Sequence, residues 1–104
     1  MMNTKVVLTG HILEETSELS LTELCESCRV PTESMIELVE HGIISPSQGE
    51  TTRQWRFQSA SIVRADKALT LKQDLKVNVA GTALILELLD EINELKVLLY
   101  RDSA

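Results

Sequence analysis

The stretch Arg29–Ile44, RVPTESMIELVEHGII, limits what this chain can fold into more than any other segment. Pro31 disfavours helical geometry at Val30, so a helix before it cannot run through it. Thr32 is expected to cap a second helix, and Glu33 in its first turn suits the positive end of the helix dipole. Gly42 can take the left-handed backbone that ends a helix. Upstream, LTELCESC carries Leu21, Leu24, Cys25 and Cys28 at helical spacing, with Ser20 or Thr22 as its cap. Two short helices held apart by a three-residue turn make a helix-turn-helix.

The flanks extend the pattern. KVVL (5–8) reads as a short strand, and Ile12 and Leu13 either lengthen it or pair back on it. EETSE is a polar connector. After Gly42, Pro46 and Gly49 punctuate a loop that leads into QWRFQ, so two short strands around a polar loop are predicted to form a wing. Ser59 is expected to cap a third helix, in which Ile62, Ala65, Ala68, Leu69, Leu71 and Leu75 recur at helical spacing. A strand-favouring VNV interrupts it, and Asn78 caps a last helix through about Arg101. The order strand, helix, turn, helix, wing, helix, helix predicts a mainly α winged helix-turn-helix. One domain over 1–104 is expected: an N-terminal strand segment (1–19), the winged unit with its third helix (20–76) and a C-terminal helix (78–101). A chain of 104 residues suits one modest core. Apolar residues make up 43% but aromatics only 3%, so that core is aliphatic and favours helices.

Charge is what sets this helix-turn-helix apart. The chain carries a net charge of −6, unevenly placed. Residues 20–45 hold five Glu and one Arg, whereas 51–76 hold six Lys or Arg against Asp66 and Asp74. On a wheel of about 100° per residue, Glu33, Glu37 and Glu40 fall within about 60° of one another. Met35, Leu38 and Val39 lie opposite, with Ile36 at the margin. The outward face of the second helix, which a DNA reader would insert into the major groove, is therefore carboxylate. Duplex binding is driven by Lys and Arg displacing counterions, and three carboxylates oppose it. Arg53 and Arg56 on the wing are the nucleic-acid candidates if this chain reads DNA at all, and they would not offset the stripe. The stripe is then either a solvated face or a surface for a basic partner. The basic stretch either binds or pairs with acidic parts of the same protein or of a second subunit.

In the last helix Ile85, Leu88, Ile92, Leu95 and Leu99 are spaced three, four, three and four, an a/d seam over about two heptads. Leu86 and Leu89 add a second apolar side to its first half. The seam is a candidate homodimer interface, with packing inside the same chain as the alternative. Cys25 and Cys28 form a CxxC that closes a helix rather than opening one, with no second pair, which points to free, half-buried thiols. No glycine-rich phosphate loop, GxSxG or HExxH occurs, and Asp90–Glu91 are helical neighbours that point apart, so neither an enzyme nor a bound metal or other cofactor is expected. No apolar run reaches the roughly 18 residues of a membrane span, and the start lacks the basic region of a signal peptide; a soluble, cytoplasmic protein is expected.

Three stretches, ESMIELVEHGIISP (33–46), WRF (55–57) and LKQDLKVNVAGTALILELLDEINELK (71–96), resemble the MerR-type winged helix-turn-helix and, more closely, the CbpM family of chaperone modulators. The resemblance runs from about Leu21 to Leu99. It implies a binding module that engages the J-domain of a DnaJ-like co-chaperone of the CbpA type and inhibits its stimulation of Hsp70. It also implies that the J-domain presents a basic helix. Two acidic groups are the candidates for covering that helix: Glu33, Glu37 and Glu40, or Glu87, Asp90, Glu91 and Glu94. DNA binding by a MerR-like regulator, through Arg53 and Arg56, is the rival reading and is not expected.

Overall fold

The computed structural model describes residues 5–8, 11–14 and 18–103, with side chains from 18 to 101. Two strands, β1 (Lys5–Leu8) and β2 (His11–Glu14), pair antiparallel with Val6 opposite Leu13. Of the two readings of Ile12–Leu13, pairing back on KVVL is the one present. A third strand, β3 (Glu18–Ser20), runs directly into α1 (Leu21–Cys28). Ser20 caps that helix in a reciprocal box: its hydroxyl accepts from the Glu23 N–H at 3.1 Å, and the Glu23 carboxylate accepts from the Ser20 N–H at 2.8 Å. Arg29, at φ 59°, ends the helix in the left-handed region, and Pro31 starts the next one.

The second helix, α2 (Thr32–Glu40), places Thr32 inside its first turn rather than at the cap. Pro31 holds the cap position and no side chain caps the helix. The Thr32 hydroxyl is instead engaged with the Cys25 thiol of α1. The other end follows the sequence reading. Gly42 sits at φ 73°, its N–H donates to the Val39 carbonyl at 3.0 Å, and the Ile43 N–H donates to the Leu38 carbonyl at 2.9 Å. This two-bond stop satisfies carbonyls the helix would leave open and turns Ile43 and Ile44 into the core.

The wing is built differently from expectation. Its strand β4 (Arg56–Gln58) pairs antiparallel with β3, Leu19 opposite Phe57, and meets the segment across the polar loop at Arg56, which accepts from the Ser47 N–H at 2.7 Å and donates to the Gln48 carbonyl at 3.0 Å. The segment after α2 is held by side chains as well: Glu18 accepts from the Ser47 hydroxyl at 3.0 Å and from the Gln48 amide at 2.6 Å. A strand of three residues with a single inward Leu has too little alternation to be seen in sequence. Gly49 is required at the wing tip: at φ 101° an added Cβ would collide with the Gln54 carbonyl.

Helix α3 (Ala60–Leu75) follows Ser59, which has helical dihedrals and makes no side-chain cap, contrary to expectation. VNV is not a strand. Lys76 at φ 55° breaks the chain, the Val77 N–H donates to the Lys72 carbonyl at 3.2 Å, and Asn78 caps α4 (Val79–Ser103) through the Gly81 N–H at 2.8 Å. The core gathers Leu24, Met35, Leu38, Phe57, Ile62 and Leu86, each under 2% exposed. Trp55 packs edge-on to Phe57, with ring centroids 6.0 Å apart. Burying one such aliphatic or aromatic side chain contributes about 1.5–3 kcal/mol.

Candidate partner-binding surfaces

The carboxylate stripe is where the sequence placed it. Met35 and Leu38 are buried and Val39 half-buried, and this fixes the roll of α2; Glu33, Glu37 and Glu40 are consequently exposed. The one histidine at the helix end, His41, spends its Nδ1 on the Glu37 carbonyl at 3.0 Å. Thus α2 has the position of a recognition helix and an outward face with no cation.

The basic stretch is only partly drawn inward: Arg53, Lys67 and Lys76 stay exposed and Lys72 is half-buried. Arg64 is drawn inward: its Nε donates to the Ile43 carbonyl at 2.8 Å and its Nη2 to Asp90 Oδ2 at 3.2 Å. One guanidinium so ties the end of α2 to α3 and to the middle of α4. On the wing, Arg56 donates through Nη1 to the Trp55 carbonyl at 2.8 Å and the Arg53 carbonyl at 3.4 Å, so one of its terminal nitrogens is used within the chain. Arg53 remains exposed and, with Ser20, Leu21, Thr22 and Thr52, lines a shallow hollow of about 210 Å³. That is below the roughly 300 Å³ at which small-molecule pockets begin.

The four α4 acids are all exposed but are not equivalent. Asp90 is the partner of Arg64, whereas Glu87, Glu91 and Glu94 point to the outer side of the helix. Neither Arg64 nor Ile43 stood out in the sequence, because a contact across 26 residues leaves no periodic trace. The helix also changes character along its length. Val79, Thr82 and Leu86 are buried under the winged unit, and Ile85 and Leu89 are half-buried. Every residue from Asp90 to Arg101 is exposed, among them the seam residues Ile92 (45%), Leu95 (59%) and Leu99 (65%), with Leu88 at 49% just before them. Beyond Leu89 the seam is therefore not covered by its own chain among the described residues.

The two cysteines are free. Burial, more than any charge, pushes the Cys25 thiol up, and burial followed by the Asp66 carboxylate raises Cys28 to about 12. Both stay protonated at neutral pH, which suits neither a metal ligand nor a redox nucleophile. Among the described residues no His, Cys, Asp or Glu cluster could hold a metal ion, and no helix is long and apolar enough to cross a membrane.

Comparison with known proteins meets this geometry from two sides. Residues 19–99 match the family described as MerR HTH family regulatory protein. The chain is 37% identical over 93 residues to the chaperone modulatory protein CbpM of Coxiella burnetii strain Dugway 5J108-111, covering 89% of this chain and 87% of that one. It is 39% identical over 79 residues to the protein of the same name from Pseudomonas entomophila strain L48, covering 76% and 77%. Neither description names a catalytic activity. A MerR-type helix-turn-helix whose recognition face is acidic, matched along most of its length by these relatives, belongs to the CbpM family of chaperone modulatory proteins.

Proposed function

We propose that this protein binds the J-domain of a DnaJ/CbpA-like co-chaperone through an acidic face and keeps that J-domain from stimulating Hsp70. The observation that carries the reading is the outward set of Glu33, Glu37 and Glu40 on a helix whose DNA-reading counterpart would need cations. Carboxylates held on a rigid, capped scaffold complement the basic helix of a J-domain, speed encounter and select the partner, while apolar neighbours supply the anchor. The outer group of α4 (Glu87, Glu91 and Glu94) is the second candidate face. Asp90 is the least suited of the four, because its carboxylate already serves Arg64. The chain acts as a homodimer through the seam Ile85, Leu88, Ile92, Leu95 and Leu99, which explains large aliphatic side chains left in water on α4.

Calorimetry with a purified J-domain tests the face. Glu37→Lys and Glu94→Lys are measured separately, at low and at high salt. Reversal in the true face weakens binding about tenfold and flattens its salt dependence. Unchanged affinity in both variants overturns the acidic-face reading. The exposed Arg53 and the MerR family match favour a second reading, a DNA-binding regulator. Sequence-selective, nanomolar duplex binding at physiological salt, lost in Arg53→Ala, would establish it in place of the first.

A further inference from the structure

We propose that Arg29 is a specificity residue of the acidic face: its guanidinium pairs with a carboxylate at one end of the partner's basic helix, and this pairing fixes the direction in which that helix lies along Glu33, Glu37 and Glu40. The proposal rests on the J-domain reading above. It adds a chemical requirement on the partner, a basic run ended by an acid.

The helix-turn-helix is one-sided in charge except at this position. Residues 20–45 hold five Glu and a single Arg. Glu23 spends its carboxylate in the capping box, so Glu26, Glu33, Glu37 and Glu40 are the exposed acids left to meet a partner. Glu33 and Glu40 stand about 10 Å apart along the axis of α2. The turn lies beyond the Glu33 end, and Arg29 is in it. Besides burial, the largest cause, Glu26 and Glu33 both raise the Cys25 thiol, so the two carboxylates flank the same junction of α1 and α2. The surface therefore has a direction, with a cation at the turn and carboxylates leading away from it. A partner that is basic throughout is repelled at Arg29.

The backbone under that cation is held. Arg29 has φ 59° and ψ 47°, its N–H donates to the Glu26 carbonyl at 3.3 Å, and the Val30 N–H donates to the Cys25 carbonyl at 3.1 Å. Val30 packs half-buried against the core, and Pro31 follows it. Left-handed backbone disfavours any residue with a Cβ, and Gly or Asn usually fills such a place. The helix dipole favours a cation at this end, and Lys76 closes α3 in the same conformation. The dipole accounts for a positive charge, and not for a guanidinium with nothing to bind. Arg56 and Arg64 donate within the chain. Arg29 has exposed Glu26 three residues before it and Glu33 four after, yet its side chain makes no ion pair or hydrogen bond with any described residue. A free guanidinium offers a planar fork that matches a carboxylate at two points.

Calorimetry of the full chain with a purified J-domain tests this with Arg29→Gly, Arg29→Lys and Arg29→Glu. If the face worked by acidity alone, Arg29→Glu would bind a basic helix more tightly. We expect it instead to weaken binding about tenfold, Arg29→Gly about fivefold and Arg29→Lys least. Gly suits the left-handed backbone, so Arg29→Gly should unfold at no less denaturant than wild type, and its lost binding is not lost folding. Asp→Lys or Glu→Lys changes made one at a time in the J-domain should include one that restores binding of Arg29→Glu. Tighter or unchanged binding of Arg29→Glu overturns the proposal, as does the lack of any restoring change. Failure of the J-domain reading itself looks different: wild type would not bind the J-domain.

Discussion

The two halves of α4 share large aliphatic residues but differ in charge and in fate. The first, from Val79 to Leu89, is rich in Leu and Ile and is closed against the winged unit. The second, from Asp90 on, holds Ile92, Leu95, Val97, Leu98 and Leu99, and all are in water. The near half has a single charged residue, Glu87, whereas residues 90–101 hold Asp90, Glu91, Glu94, Lys96 and Arg101. Length separates them too: 25 residues span about 37 Å, longer than the winged unit has surface to cover. A helix of that length has an end that is stabilised by another molecule or not at all. The lesson concerns stability as well as binding, because loss of an apolar side chain should act on folding in one half and on association in the other.

The largest break in that comparison is Leu86→Ala. Leu86 is 1% exposed, so truncation should cost about 2–5 kcal/mol in denaturant unfolding, with no dependence on protein concentration. Leu95→Ala is the matched change in the far half. It should leave the unfolding of the monomer within about 0.5 kcal/mol of wild type while weakening self-association about tenfold by analytical ultracentrifugation. A Leu95→Ala protein that unfolds as easily as Leu86→Ala would show that both halves belong to one core. Asn78→Ala removes the cap that starts the near half and should lower stability by about 1 kcal/mol. The smallest effect belongs to the junction. Asp90→Asn breaks an exposed ion pair with Arg64 and should cost less than about 1 kcal/mol, with the loss shrinking as salt rises.

How far the sequence could be read differs in the same way. Local grammar was legible wherever a residue type has few physical uses: Pro31 between helices, Gly42 as a stop, Ser20 as one of two cap candidates for α1, Asn78 before α4. The face of α2 was legible too, because Met35 and Leu38 are buried by any scaffold and so fix where Glu33, Glu37 and Glu40 must point. Reading failed where a residue's partner is distant. Thr32 looked like a cap and is turned to Cys25; Ser59 looked like a cap and makes none. Glu18 looked like part of a connector and instead holds Ser47 and Gln48 at the base of the wing.

Sequence by itself therefore determined the helix-turn-helix, the polarity of its recognition face and the presence of an aliphatic seam, since each follows from spacing within a few turns of chain. Tertiary structure alone decided which strand pairs with β4, which cations of the basic stretch are used within the chain, and where α4 leaves the domain. Those answers hang on β3 meeting β4, on Arg64 reaching both Ile43 and Asp90, and on the extent of the winged unit. Contacts between residues far apart in sequence carry no periodicity, and only the folded chain brings them together.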